Sequence, residues 1–203
     1  MAELLLFCAL LALLELDTTY IGQFLFSRPI IAGSVLGYLT GNFFLGLQLG
    51  VFTELLYLDF MPIGGVVPPS GAISAGTGVL MAYFFGLPAY FAFFTGIAGG
   101  LIFSVMEKRI RIMRARLLRG VEIKIMAGKL SPGMLMAQSL LFQFLAVFTF
   151  LLIMITIIGP LAAYGGAAAP QKVRIAFQFS YYVVPWIGLA VMFISFSTKP
   201  KTD

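Results

Sequence analysis

Three stretches of this chain carry no charged residue: Pro29 to Thr53, Phe60 to Met106 and Leu130 to Gln171. Each exceeds the ~20 apolar residues that a straight helix needs to cross a bilayer. Across all 203 residues, 61% are hydrophobic and 10% charged, whereas a soluble domain has about a quarter of its residues charged. The expected fold class is an all-α integral membrane protein, a polytopic bundle forming a single membrane domain over residues 1 to 203.

The net charge is +5, but eight of the thirteen Lys and Arg residues lie between Lys108 and Lys129. A cytoplasmic loop carries its excess of basic residues in this way, so the basicity reports topology rather than a nucleic-acid partner. Within that segment Ile110, Met113, Leu117 and Val121 recur at helical spacing among arginines, predicting an amphipathic helix on the inner leaflet over 108 to 129, interrupted at Gly120. Cys8 is alone, so no intrachain disulfide is possible. The chain has no His. That excludes a His phosphoryl carrier, a His metal site and a Ser/His/Asp triad; no cofactor is expected. Nor does an intramembrane protease fit, because Asp17 and Asp59 both fall at the edges of apolar runs. The N-terminus lacks a basic n-region and cleavage site, so residues 4 to 14 read as part of the mature membrane domain.

Several spans are expected to be broken. Leu4 to Leu14 is too short to cross alone and leads into a polar turn before Arg28-Pro29. Glycines at 37, 41, 46 and 50 form two pairs at spacing four, which allow close helix contact. In one continuous helix the pairs would face opposite sides, so a break near Thr40-Gly41-Asn42 is favoured. Residues 61 to 78 hold Pro62, Pro68 and Pro69 among several glycines, which predicts a re-entrant or unwound segment. Ile73 to Met106 reads as one broken span or a helical hairpin about Gly86-Leu87-Pro88. A span from Met134 is expected to stop at Gly159-Pro160, followed by a Gly/Ala-rich loop to Pro170. A last span from about Ile175 contains Pro185 and returns Lys199 and Lys201 to the basic side.

Glu54 interrupts an otherwise charge-free run and is followed closely by the Pro/Gly-rich segment. A carboxylate at membrane depth costs about 2.5 to 3.5 kcal/mol to insert. Broken backbone is tolerated at that depth only where it is buried in protein or lines a cavity. The two features side by side predict a polar pocket.

The ordered set Leu16-Asp17, Phe26-Ser27-Arg28-Pro29, a Gly-rich span, Leu47 to Gly50, Glu54-Leu55, Met61-Pro62-Ile63-Gly64-Gly65 and Val67-Pro68-Pro69 resembles the IIC membrane subunit of the mannose/fructose/sorbose family of the sugar phosphotransferase system. The resemblance is carried by residues 16 to 72 and fades to a general one after Gly96. It implies a sugar-translocating subunit with broken helices, in the cytoplasmic (inner) membrane, acting with a IID membrane subunit, as an oligomer of heterodimers. It also implies that separate cytoplasmic IIA and IIB components phosphorylate the sugar in a phosphoenolpyruvate-dependent system, so this chain is not itself an enzyme. Three features depart from the pattern: Ser70 stands where relatives often have an acid, Pro62 where many have Asn, and the chain ends soon after the Pro185 span. These departures leave a second expectation open, a transport-deficient scaffold or regulatory subunit derived from the same family.

Against that background the substrate-binding candidates are Glu54, Gln48, Asp17 and Ser70, with Gly64, Gly65, Pro68 and Pro69 shaping a structural loop. A carboxylate accepts hydrogen bonds from two sugar hydroxyls at once; the bland alternative is that Glu54 caps broken backbone. Gln48 lies only loosely on the same helix side. Asp17 and Arg28 either flank an entrance or form an interfacial salt bridge with each other. Glu15 and Asp59 read as interfacial anchors. The Gly pairs serve either IID contact or packing within the chain, and Tyr181, Tyr182 and Trp186 read as interfacial belt on the lipid bilayer.

Overall fold

A computed structural model describes residues 1–18, 22–60, 67–126 and 131–197, with side chains described except over 117–126 and 195–197. The described elements are helices throughout: α1 (Ala2–Leu16), α2 (Pro29–Leu39), α3 (Phe43–Leu56), α4 (Gly71–Phe85), α5 (Ala89–Met126), α6 (Pro132–Ile153), a π-helical turn (Met154–Ile158), α7 (Gly159–Ala168) and α8 (Gln171–Ser197). Three of them, over 89–116, 132–168 and 171–194, are long and apolar enough to cross a membrane. With the shorter apolar helices they make a multi-pass membrane protein.

The run from Pro29 to Tyr57 is broken where expected. Gly41 adopts φ +77°, and Asn42 caps α3 by accepting the Leu45 N–H at 3.2 Å. A left-handed residue is cheap only for glycine, and the Asn side chain satisfies one of the donors that a new helix start leaves free. The turn folds α3 back on α2 so that Gly33 and Gly37 face Gly46 and Gly50. A Cβ on Gly33 would lie 2.5 Å from the Gly46 oxygen, and one on Gly50 would lie 2.6 Å from the Pro29 oxygen. Gly41 makes the turn, where a Cβ would meet nothing within 4 Å, whereas Gly33, Gly37, Gly46 and Gly50 pack helices within the chain. Backbones this close leave no room for any side chain.

Helix α4 lies at the centre: every residue from Ala72 to Met81 is buried. Its small residues admit neighbours on all sides, with Leu11 of α1 packed at Gly76 and Gly96 of α5 against the backbone of Ser74 and Gly78. A helix buried all round needs no polar face, which fits the largely apolar sequence of α4, rich in Gly and Ala over its first half. Gly86, at φ +62°, ends it, and α5 returns antiparallel, so Ile73 to Met106 belongs to a helical hairpin.

Three expectations are corrected. The chain stays helical from Ala89 to Met126, so the basic stretch continues α5 rather than forming a separate surface helix, and Gly120 does not interrupt it. Glycine in a helix costs only about 1 kcal/mol relative to Ala, and Leu117, Leu118, Arg119, Glu122 and Lys124 around it are good helix formers. Nor does the helix from Pro132 stop at Gly159-Pro160. The π-helical turn, closed by the Gly159 N–H on the Met154 carbonyl, leads directly into α7. Widening the helix there accommodates a proline ring that would otherwise clash with a carbonyl one turn earlier. Consequently much of the Gly/Ala-rich stretch expected as a loop is helix, Gly159–Ala168.

The chain directions place the polar residues at one end of the bundle. Gln143 of α6 meets Glu107 of α5, Phe150 meets Phe103, and Gly159 packs on Phe85, so α6 runs away from the basic end of α5. Helix α8 returns: Phe177 packs on Phe91, Tyr181 on Phe93, and Gly188 on Leu55 beside Glu54. Lys199 and Lys201, beyond Ser197, lie outside the described residues.

Candidate functional site

At that end the C-terminus of α1, the start of α2, the last turn of α3 and the start of α4 converge. Between them is a cavity of about 430 Å³ whose wall includes Thr18, Ser27, Arg28, Glu54, Tyr57 and Pro69. Glu54 reaches it from the last turn of α3. Its Oε1 pairs with an Arg28 guanidinium nitrogen at 2.6 Å. Its Oε2 is buried and has no hydrogen-bond partner among the described residues. A desolvated carboxylate oxygen without a donor is costly, so this atom marks where a ligand hydroxyl or a water is wanted.

Of the two alternatives expected for Asp17 and Arg28, the salt bridge between them is overturned. They do not pair with each other; Arg28 pairs with Glu54. Asp17, buried at the end of α1, accepts the Phe24 N–H at 2.8 Å and the Ser27 N–H at 3.4 Å. Its carboxylate thereby ties down a loop in which Gln23 (φ 55°) and Leu25 (φ 71°) are left-handed. Such backbone is uncommon for a side chain like leucine and persists only where surrounding contacts hold it. Leu25, Ser27 and Arg28 all line the cavity, so Asp17 positions its wall without being part of it.

Ser70 caps α4 by accepting the Ile73 N–H at 3.2 Å and donates to Glu15 Oε2 at 2.8 Å. It faces a second, smaller cavity of about 100 Å³ shared with Glu15, Glu107 and Arg111. Thr18, Ser27, Pro68, Pro69 and Gly71 line both cavities, so the two prolines stand as the partition between them. Proline fits a wall of this kind because it has no N–H to leave unpaired. Gly64 and Gly65 lie outside the described residues. Gln48, six residues before Glu54 on α3, is half-buried and does not line the larger cavity.

Glu15 is not an interfacial anchor: only 8% of it is exposed. The signal was available, because Phe7, Leu11 and Glu15 recur at intervals of four and share the buried face of α1. Glu107 was also missed. It is buried on α5, pairs with Arg111 one turn on at 2.9 Å, and accepts the Gln143 side-chain amide at 2.7 Å. Asp59 is exposed, as are Tyr182 and Trp186. Tyr181 departs from the belt expectation: it is buried, with its ring 4.9 Å from Phe52. None of the three aromatics lines the larger cavity; the aromatic wall there is Tyr57, edge-on to Phe60, with its hydroxyl 3.0 Å from that of Ser74.

The arrangement offers one carboxylate oxygen in want of a donor, a guanidinium, hydroxyls from Thr18 and Ser27, and an aromatic ring, at the end of a membrane bundle. Comparison with known proteins gives it a context. The N-acetylgalactosamine permease IIC component 1 of Escherichia coli (strain K12) is 34% identical over 102 residues, which is 50% of this chain and 36% of that protein. The match thus spans about a third of the curated relative's length. A solved structure of the mannose transporter ManYZ in complex with microcin E492 superposes with a TM-score of 0.67 over 98% of this chain and 81% of that one, at 17% sequence identity, so the two share a fold. The family model described as the sorbose-specific IIC component of the phosphotransferase system matches residues 1–200. With that match running almost from end to end, the chain belongs to the sorbose-specific IIC family of the phosphotransferase system.

Proposed function

We propose that this chain is a sugar-translocating IIC subunit of a phosphoenolpyruvate-dependent phosphotransferase system, acting with a IID-type membrane partner, and that the sugar seats in the 430 Å³ cavity against Glu54. The observation that carries this reading is that Glu54 lines that cavity and holds one carboxylate oxygen, Oε2, buried and without a partner among the described residues. A sugar hydroxyl donates to a carboxylate in a charge-assisted hydrogen bond, about twice as strong as a neutral one. Thr18, Ser27 and Tyr57 add further polar or aromatic contacts.

By this reading the basic end of α5 lies in the cytoplasm, following the excess of Lys and Arg there. The cavity opens at the same end, since Glu107 and Arg111 share with it the Pro68-Pro69 partition. The sugar is accordingly delivered toward cytoplasmic IIA and IIB phosphocarriers in the inner membrane. Phosphoryl carriage falls to them, as this chain has no His.

The test is uptake of a labelled hexose and amino-hexose panel by vesicles carrying the chain with its IID and IIA/IIB partners, for wild type and Glu54→Gln. Uptake abolished by the single change at equal expression supports the reading. No uptake of any sugar by well-assembled wild type overturns it in favour of a scaffold.

A further inference from the structure

We propose that Ser74, which does not line the cavity, sets the hydrogen-bonding sense of Tyr57, so that Tyr57 and Glu54 face the sugar as two acceptors and the site requires hydrogen-bond donors at two neighbouring positions of the sugar. The inference rests on the reading of the larger cavity as a sugar site. Tyr57 lines that cavity, whereas Ser74 is buried in α4 behind it. Their hydroxyl oxygens are 3.0 Å apart, and Ser74 Oγ also lies 2.8 Å from the Ser70 carbonyl oxygen.

A carbonyl oxygen only accepts, so the single hydroxyl proton of Ser74 goes to Ser70. The contact with Tyr57 then uses the proton of the tyrosine. This division matches the chemistry of the two groups, because a phenolic O–H is the more acidic donor and an aliphatic hydroxyl oxygen the more basic acceptor. Tyr57 is left with lone pairs to offer and no proton. Gly100 of α5 makes room for the arrangement: a Cβ there would collide with Ser74 Oγ and stand 2.7 Å from the Ser70 carbonyl oxygen.

Glu54 and Tyr57 are three residues apart, and the Tyr57 N–H still donates to the Thr53 carbonyl at 3.0 Å, so the two share one side of the last turn of α3. The Oε2 atom of Glu54, buried and without a partner among the described residues, likewise accepts and cannot donate. Two acceptors side by side call for two donors side by side. Adjacent sugar hydroxyls supply them, as does a hydroxyl beside an amine or an amide N–H.

Fluorine in place of a hydroxyl keeps the shape and removes the donor, which gives the test. The parent sugar is the tightest binder among mannose, glucose, galactose, fructose, sorbose and the amino-hexoses, and each of its hydroxyls is replaced by fluorine in turn. Equilibrium binding is measured on membranes carrying the assembled protein. In wild type two neighbouring positions are sensitive, with losses of roughly 10- to 150-fold where the sugar meets Glu54 and roughly 2- to 10-fold where it meets Tyr57. Tyr57→Phe erases the smaller loss and leaves the larger. Ser74→Ala frees the Tyr57 proton to turn toward the sugar and shrinks that same loss; added to Tyr57→Phe, it changes nothing further. A serine that only packs would instead weaken every sugar alike in both backgrounds. No neighbouring pair of sensitive positions in wild type, or a Ser74→Ala effect that persists without the Tyr57 hydroxyl, overturns the inference while leaving the sugar site standing. Failure of assembled wild type to bind any parent sugar overturns the site itself.

Discussion

Arg28, the residue before the first turn of α2, and Glu54, in the last turn of α3, are joined at 2.6 Å across the base of a glycine-packed hairpin. Twenty-five residues of apolar chain separate them in sequence, and the fold returns one to the other because the turn at Gly41 sends α3 back along α2. The pair engages one oxygen of the carboxylate, while the oxygen that Arg28 does not reach is left for a ligand.

Glu54→Gln preserves shape and removes the charge. A hydrogen bond to a charged group contributes about 1.5 to 3 kcal/mol, so sugar affinity is expected to fall by roughly 10- to 150-fold. Equilibrium binding on membranes checks this, with expression and assembly verified alongside.

Arg28→Gln has a different signature. Because the Arg28 side chain is more than half exposed, the pair is worth at most about 1 kcal/mol to stability. Thermal unfolding of the detergent-solubilised protein is expected to shift little, even where sugar binding is weakened. A large loss of stability would place Arg28 among structural residues.

The hairpin itself is tested at Gly46. A methyl group there would run into the Gly33 carbonyl oxygen and the Gly37 backbone, whereas one on Gly165 meets nothing within 4 Å. Gly46→Ala is expected to destabilise by about 1 to 3 kcal/mol through overpacking, and Gly165→Ala to be neutral or stabilising by up to about 1 kcal/mol through helix propensity. Paired thermal melts compare the two.

Ser70 and Glu15 form the fourth test. Ser70→Asp retains a side chain able to cap α4 but sets a second carboxylate against Glu15, which at present accepts the serine hydroxyl at 2.8 Å. That variant is expected to be less stable than Ser70→Ala, which loses about 1 kcal/mol of capping. Adding Glu15→Gln to Ser70→Asp restores a donor between the two positions and should recover the loss. A double-mutant cycle measures the coupling directly.

The hairpin break, the short first helix and the cavity beside Glu54 were legible because each follows from a local cost. Glycine pairs demand a partner backbone, and a charge in an apolar run demands a polar setting. What escaped the sequence depended on long-range placement. The Arg28 and Glu54 pairing could not be read without knowing that α3 reverses along α2. Glu107 stands just before the basic stretch that begins at Lys108, yet Gln143, 36 residues later, meets it in the interior. The Gly/Ala-rich stretch after Pro160 was mistaken for a loop because a proline usually ends a helix; a π-helical turn absorbed it, and alanine's helix propensity did the rest.

The most direct test of the central claim is a cryo-electron microscopy structure of the protein, assembled with its membrane partner and saturated with a sugar it takes up. The account predicts sugar density between Arg28 and Tyr57, with a hydroxyl within hydrogen-bond distance of Glu54 Oε2. Sugar bound elsewhere, with that oxygen still unoccupied, would contradict it.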